Sequence, residues 1–129
     1  MSDYEFKPFS LKDRIKSFSY AFAGIRLMIV SQHNAWVHVL ATIVITAMGI
    51  FFKISDMEWI VLIGITSGVW IAEALNTSLE FLCDVASPDF HPLVEKAKDV
   101  AAGAVLIAAI AALIIGAIIF APYLAVQFL

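Results

Sequence analysis

Charge is the scarcest ingredient of this chain. Of its 129 residues only 15% are Asp, Glu, Lys or Arg, while 62% are hydrophobic. An ordinary soluble domain carries roughly 25% charge and less apolar content. The imbalance argues against a soluble globular domain and predicts a small integral membrane protein built as one bundle. Eight basic residues face eleven acidic ones, for a net charge of −3. They form no basic patch, so nucleic acid is not an expected partner. Cysteine is nearly absent: Cys83 stands alone, which excludes an intramolecular disulfide, and it reads as a packed helix residue. The chain has no G-x-x-x-x-G-K-[ST] loop, so any nucleotide would be held without that fold. No short apolar core with a small-residue cleavage site opens the sequence, and no cleavable signal is expected.

What the chain has in quantity is long apolar runs. Three spans are predicted, at Ala35–Phe52, Trp59–Leu82 and Val100 onward. About twenty apolar residues cross a bilayer as a helix. The third run continues without a charge to Leu129, with its crossing part at about 100–122. Lys53–Glu58 predicts a tight polar turn, and Cys83–Asp99, with Pro88 and Pro92, a longer polar connection. Basic residues set the orientation. Lys7, Lys12, Arg14, Lys16 and Arg26 precede the first span, Lys96 and Lys98 lie between the second and third, and Lys53 is alone in the first turn. The positive-inside rule places the N-terminus and the second connection in the cytoplasm and the C-terminus outside. Trp36, Trp59 and Tyr123 fall near span ends as interfacial aromatics. Trp70 does not, and reads as a packing residue.

Ahead of the spans, Leu11, Ile15, Phe18, Phe22, Ile25 and Ile29 recur at spacings of three and four. That is the apolar stripe of a helix, predicted over about residues 10–30. Ser10 can cap it, with Asp13 as the acidic partner of a capping box. With Lys12, Arg14 and Lys16 in its early turns, it reads as an amphipathic helix on the cytoplasmic membrane face. A soluble helix packed on other protein is the alternative. In the third span Ala104, Ala108, Ala112 and Gly116 recur every four residues, a small-residue stripe suited to close helix packing.

The chemistry concentrates in the second span. Glu73, Asn76, Thr77, Glu80 and Asp84 share an arc of roughly 100° on a helix. Glu73 and Glu80 are about 10 Å apart along the axis. Ionisable groups at membrane depth are costly, by roughly 2.5–3.5 kcal/mol each on insertion scales. Magnesium typically takes one or two carboxylates plus substrate phosphates. A deeper, desolvated carboxylate suits a general base. The plainer alternative is an interhelical hydrogen-bond network.

Other polar groups cluster near the same predicted surface. Lys98 can neutralise phosphate, and Asp99 can pair with Lys98 or accept from a ligand, although a basic membrane anchor has the same composition. Asp89, Phe90 and His91 lie in the preceding connection and alone read as an ordinary loop. Gln32, His33, Asn34 and His38 gather at the start of the first span, with His38 one turn after Asn34. Their spacing is not diagnostic of a zinc site.

Taken together, Glu73-x-x-Asn76-x-x-x-Glu80, then Asp84, His91 and Ala97-Lys98-Asp99, resemble the prokaryotic diacylglycerol kinase family, small three-span membrane kinases that include undecaprenol kinases. Ala-Phe-Ala-Gly-Ile-Arg at 21–26 is similar to the family's surface-helix pattern, and the resemblance covers roughly residues 12–120. It implies an all-α membrane protein with a surface helix and three transmembrane helices, forming a homotrimer in the bacterial inner membrane with active sites shared between subunits. It implies transfer of the γ-phosphoryl group of ATP to a lipid hydroxyl with Mg²⁺ as cofactor. Glu73 would be the general base on the lipid hydroxyl, supported by Asn76. Glu80 would be a metal ligand. Lys98 would meet the phosphates with Asp99 beside it. Asp89, Phe90 and His91 would line the nucleotide, and Tyr20 would face it. The family's second metal-binding Glu is replaced by Gln32, which keeps a carbonyl ligand and loses a charge; reduced magnesium affinity with retained activity is expected. Asn34 and His38 are similar to the undecaprenol-kinase branch at the lipid site. A homotrimer also suits the expectation that three helices are too few to enclose a polar face alone. Two other functions remain open on sequence: a non-enzymatic oligomer with a carboxylate-lined ion or proton path, and an impaired adaptor of the same fold, which rests on Gln32.

Overall fold

The computed structural model describes residues 9–128. Lys7 and Leu129, both used in the sequence reading, lie outside the described residues. Four helices follow in order: α1 (Leu11–Ser31), α2 (His33–Phe52), α3 (Asp56–Ala86) and α4 (Pro92–Phe128). The last three are long and apolar enough to cross a membrane. At 1.5 Å per residue α3 is about 46 Å long and α4 about 55 Å, against a hydrocarbon core of about 30 Å. Both can therefore cross and still project beyond it.

α1 begins at the expected cap: the Ser10 side chain accepts from the Asp13 N–H at 3.3 Å, the Ser10 half of the expected capping box. Of its stripe, Leu11, Ile15, Phe18, Phe22 and Ile25 are exposed and Ile29 is half-buried. The buried residue of α1 is Met28. A single residue, Gln32, separates α1 from α2; its backbone is extended (φ −109°, ψ 118°) and its N–H returns to the Met28 carbonyl.

Both predicted connections prove shorter than expected. The first is Lys53–Ser55, because Ser55 and Glu58 form a reciprocal capping box that makes Asp56–Glu58 the opening turn of α3. Lys53 takes the left-handed conformation (φ 51°), which closes α2. The second connection is residues 87–91, since Cys83–Ala86 continue α3 and Pro92–Asp99 already belong to α4. Pro92 suits a first helical position, where its missing N–H is no loss. The His91 Nδ1 accepts from the Leu93 N–H at 3.2 Å, so the imidazole caps α4. α4 also runs through Pro122, past the expected crossing limit, to Phe128.

The main apolar cluster lies at the end of the bundle that holds the first turn. Ile54, Leu62, Ile119 and Phe120 are buried there, with Trp59, Phe52 and Tyr123 against them. Trp59 thus packs inward, while Trp36 is exposed. The Tyr123 hydroxyl donates to Glu58 Oε2 at 2.7 Å, tying the end of α4 to the start of α3. Gly49 is required by close approach: a Cβ there would meet Trp59 Cη2 at 2.6 Å. In α4, Ala108, Ala112 and Gly116 of the small-residue stripe are half-buried, but Ala104 is exposed, and Val105 is the buried residue of that turn.

Candidate functional site

The polar residues of α3 lie inward. Glu73 is 1% exposed, Asn76 5% and Thr77 4%. Spacings of three, four and seven residues place them on one helix face with Glu80. Within one chain the cover is partial, for Glu80 is half-buried and Asp84 exposed. Part of the cover is α1, whose Ala21, Gly24, Ile25 and Met28 border a cavity of about 310 Å³ shared with Ala74, Thr77, Ser78 and Phe81. Sequence periodicity marks the apolar stripe of α1 but does not reveal that Ala21, Gly24 and Met28, with Ile25 of that stripe, lie toward α3.

Two carboxylates of this face have opposite surroundings. Glu80 is framed by amides. Gln32 Nε2 donates to its Oε2 at 3.1 Å, and Asn76 Nδ2 donates to its Oε1 at 3.0 Å. Gln32 reaches Glu80 because it is the break between α1 and α2. Glu73, two turns away, has neither oxygen hydrogen-bonded. Its neighbour is His38, whose Nε2 is 3.6 Å from Glu73 Oε2, an ion-pair distance longer than a hydrogen bond. Asn76 Oδ1 and Thr77 Oγ1 are likewise buried without partners. Leaving a buried polar group unpaired costs about 1–3 kcal/mol, more for a charged one. Such clustering of unmet polar groups is characteristic of a site shaped for something other than stability.

A second group lies farther along α3 and α4. Asp84, Ser87, Asp89, Phe90, His91, Glu95, Lys98 and Asp99 line an open cleft of about 340 Å³. Lys98 Nζ bonds Asp84 Oδ1 across the helix pair. Pairing of Lys98 with Asp99 is therefore not what forms: adjacent helical residues do not face each other. Asp84 belongs to the predicted polar arc, yet sequence spacing gave it no partner. The Ser87 hydroxyl donates to the Asp89 carbonyl at 2.9 Å and shapes the short connection.

The remaining candidates are less engaged. Tyr20 is exposed on α1, with Lys16 Nζ 5.8 Å from its ring centroid. It does not line the Asp84–Asp99 cleft. Asn34 is exposed in the first turn of α2. Among the described residues no group of three His, Cys, Asp or Glu side chains is arranged to hold a metal.

The residues missed by sequence reasoning are Thr42 and Trp70. Trp70 does pack, but its Nε1 also donates to Thr42 Oγ1 at 3.1 Å, and its ring meets His38 edge-on, centroids 6.0 Å apart. The hydrogen bond crosses 28 residues of sequence and the ring contact more, and no local spacing signals them.

The sequence matches the family model described as prokaryotic diacylglycerol kinase over residues 19–120. An undecaprenol kinase of Bacillus subtilis is 36% identical over 109 residues, covering 84% of this chain and 89% of that one. A diacylglycerol kinase of Synechocystis is 37% identical over 107 residues, covering 82% of this chain and 61% of that longer protein. A diacylglycerol kinase of Escherichia coli K12 is 28% identical over 100 residues, covering 78% and 82%. With the match spanning most of the chain and including the whole α3 face, this protein belongs to the prokaryotic diacylglycerol kinase family.

Proposed function

We propose that this protein is an integral-membrane lipid kinase. It transfers the γ-phosphoryl group of Mg-ATP to a lipid primary hydroxyl, giving phosphatidic acid from diacylglycerol or undecaprenyl phosphate from undecaprenol. The observation that carries this is Glu73: a fully buried carboxylate with no hydrogen-bond donor, two turns from an amide-framed carboxylate, in a chain of this family.

Glu73 takes the proton of the lipid hydroxyl as its oxygen bonds to the γ-phosphorus. The bond from that phosphorus to the β,γ-bridging oxygen breaks, and its electron pair leaves with ADP. Asn76 stands between Glu73 and Glu80 and supports both ends of the transfer. Lys98 balances phosphate charge, and Asp89, Phe90, His91 and Asp99 line the nucleotide, whereas the exposed Tyr20 stands outside their cleft. Catalysis here is chiefly positioning and charge neutralisation. Glu80, with one carboxylate, and Gln32 would hold magnesium beside substrate phosphates, Gln32 turning its amide so that its carbonyl replaces the Nε2 now facing Glu80. The ion would supply neutralisation of phosphate charge.

Asn34 and His38 border the lipid hydroxyl. Both acceptors present that hydroxyl at headgroup depth, and the relatives' names divide between them. The exposed apolar face of α1 supports its lying on the cytoplasmic surface of the bacterial inner membrane, with the N-terminus inside and the C-terminus outside. The protein acts as a homotrimer with sites shared between subunits; the broad apolar exposure of α2 and α4 leaves surface for neighbouring copies or lipid.

The test is transfer of labelled γ-phosphate from Mg-ATP in mixed micelles, with diacylglycerol and undecaprenol offered separately. Label entering either lipid is expected, and the ratio of kcat/KM names the acceptor. Folded protein that labels neither would overturn the proposal.

A further inference from the structure

The chemistry assigned to Glu73 leaves a problem. A carboxylate with no hydrogen bond has nothing to hold its oxygens toward an incoming hydroxyl. At 1% exposure the side chain is also closed off from bulk solvent. The neighbouring histidine belongs to a small closed structure that answers the problem.

α2 and α3 run antiparallel through the short turn between them. His38 and Thr42 lie one turn apart on α2, and Trp70 and Glu73 lie about one turn apart on α3. They meet as two rungs, Thr42 with Trp70 and His38 with Glu73. The Thr42 hydroxyl uses both of its capacities. It accepts from Trp70 Nε1 at 3.1 Å and donates to the His38 carbonyl at 2.7 Å. The Trp70 ring then meets the His38 imidazole edge-on, at an interplanar angle of 70°. The cycle runs from the His38 backbone through Thr42 and Trp70 back to the His38 side chain. It fixes an imidazole whose Nε2 points to Glu73 Oε2 at 3.6 Å.

We propose that His38 is the positioning residue of Glu73, and that Thr42 and Trp70 hold His38 for that purpose. The imidazole N–H donates to one carboxylate oxygen and leaves the other for the lipid hydroxyl. The present gap is longer than a hydrogen bond and needs a shift of about half an ångström to close; such contacts commonly tighten when substrate binds. This inference rests on Glu73 being the base of a lipid kinase and adds the device that aims it.

The experiment compares His38→Ala, His38→Gln, Trp70→Phe and wild type in full-length detergent-purified protein. A misplacement of about 1 Å can cost 100-fold in rate. His38→Ala should therefore lower kcat by up to about 100-fold, with KM for Mg-ATP nearly unchanged. His38→Gln, which keeps an N–H at similar reach, should recover much of that loss. Trp70→Phe, which keeps a ring but loses the donor to Thr42, should fall between. A simply structural role would not give rescue by Gln with this split between kcat and KM. Near-wild-type kcat in His38→Ala, or a Gln variant no better than Ala in folded protein, would overturn the inference. Where Ala fails to fold, the Gln and Phe variants still decide it. The ¹⁵N shift of the His38 ring gives a readout independent of turnover: it should move on Glu73→Gln, and an unmoved signal would contradict the contact. Absence of transfer by wild type would instead refute the kinase assignment, leaving the ring shift to decide the contact.

Discussion

Replacing Glu73 with glutamine should abolish turnover and leave nucleotide binding nearly intact. The change is close to isosteric, so the buried site keeps its volume while the base is lost. General-base catalysis contributes typically 10²–10⁴-fold, or about 2.7–5.4 kcal/mol of barrier. The effect on ATP follows from the division of roles. Glu73 acts on the acceptor hydroxyl, while the cleft wall at Asp84 is eleven residues away on α3, about 16 Å along the axis. Most nucleotide contacts are therefore remote from the substitution, and only the γ-phosphate comes near the carboxylate. There the sign favours an anionic nucleotide once the carboxylate is neutral. ATP affinity should therefore hold or shift toward tighter binding. Stability adds a second readout. An unpartnered buried carboxylate opposes folding, so Glu73→Gln should melt no lower than wild type. The assays are single-turnover lipid phosphorylation, equilibrium nucleotide binding and thermal unfolding on the same preparation. Retained turnover, or lost ATP binding, would mean that Glu73 is not the base. A destabilised oligomer would mean that it is polar glue between helices.

Lys98→Ala should weaken ATP binding and turnover together, with a roughly 10- to 100-fold loss in kcat/KM from one charged contact; unchanged KM for Mg-ATP would remove Lys98 from the nucleotide site. Gln32→Glu should lower the magnesium requirement by roughly an order of magnitude, because ligand charge count tunes cation affinity. In EDTA the same variant should be less stable, since a carboxylate replaces the amide that now donates to Glu80; an unchanged magnesium titration would refute the assignment of Gln32 as a ligand. Gly49→Ala should destabilise the protein by about 1–3 kcal/mol through overpacking against Trp59, measured by denaturant titration in detergent, and a wild-type midpoint would contradict the close approach.

How far the sequence could be read depended on the range of the interaction. The α3 polar arc was legible because a helix turns periodic spacing into a shared face, and Glu73, Asn76 and Thr77 are buried together. The Ser10 cap was legible for the same local reason. The capping box at Ser55–Glu58 carries the same kind of local signal and shortens the first turn. The second connection is shorter than its polarity suggests, because Pro92 and the His91 imidazole start a helix there. What local pattern does not encode is pairing across the bundle. Gln32 with Glu80, Lys98 with Asp84 and Trp70 with Thr42 depend on how separate elements pack. Resemblance supplied Gln32 and Glu80 as a pair of ligand positions, but their hydrogen bond and the cover that α1 gives Thr77 depend on packing between helices.

The most direct measurement is ³¹P NMR of purified protein in lipid with Mg-ATP and either diacylglycerol or undecaprenol. The γ-phosphate resonance should decline as a lipid phosphomonoester resonance rises in equal amount, with ADP formed in step. Inorganic phosphate as the sole product, or no change from folded wild-type protein with either acceptor, would contradict a lipid kinase.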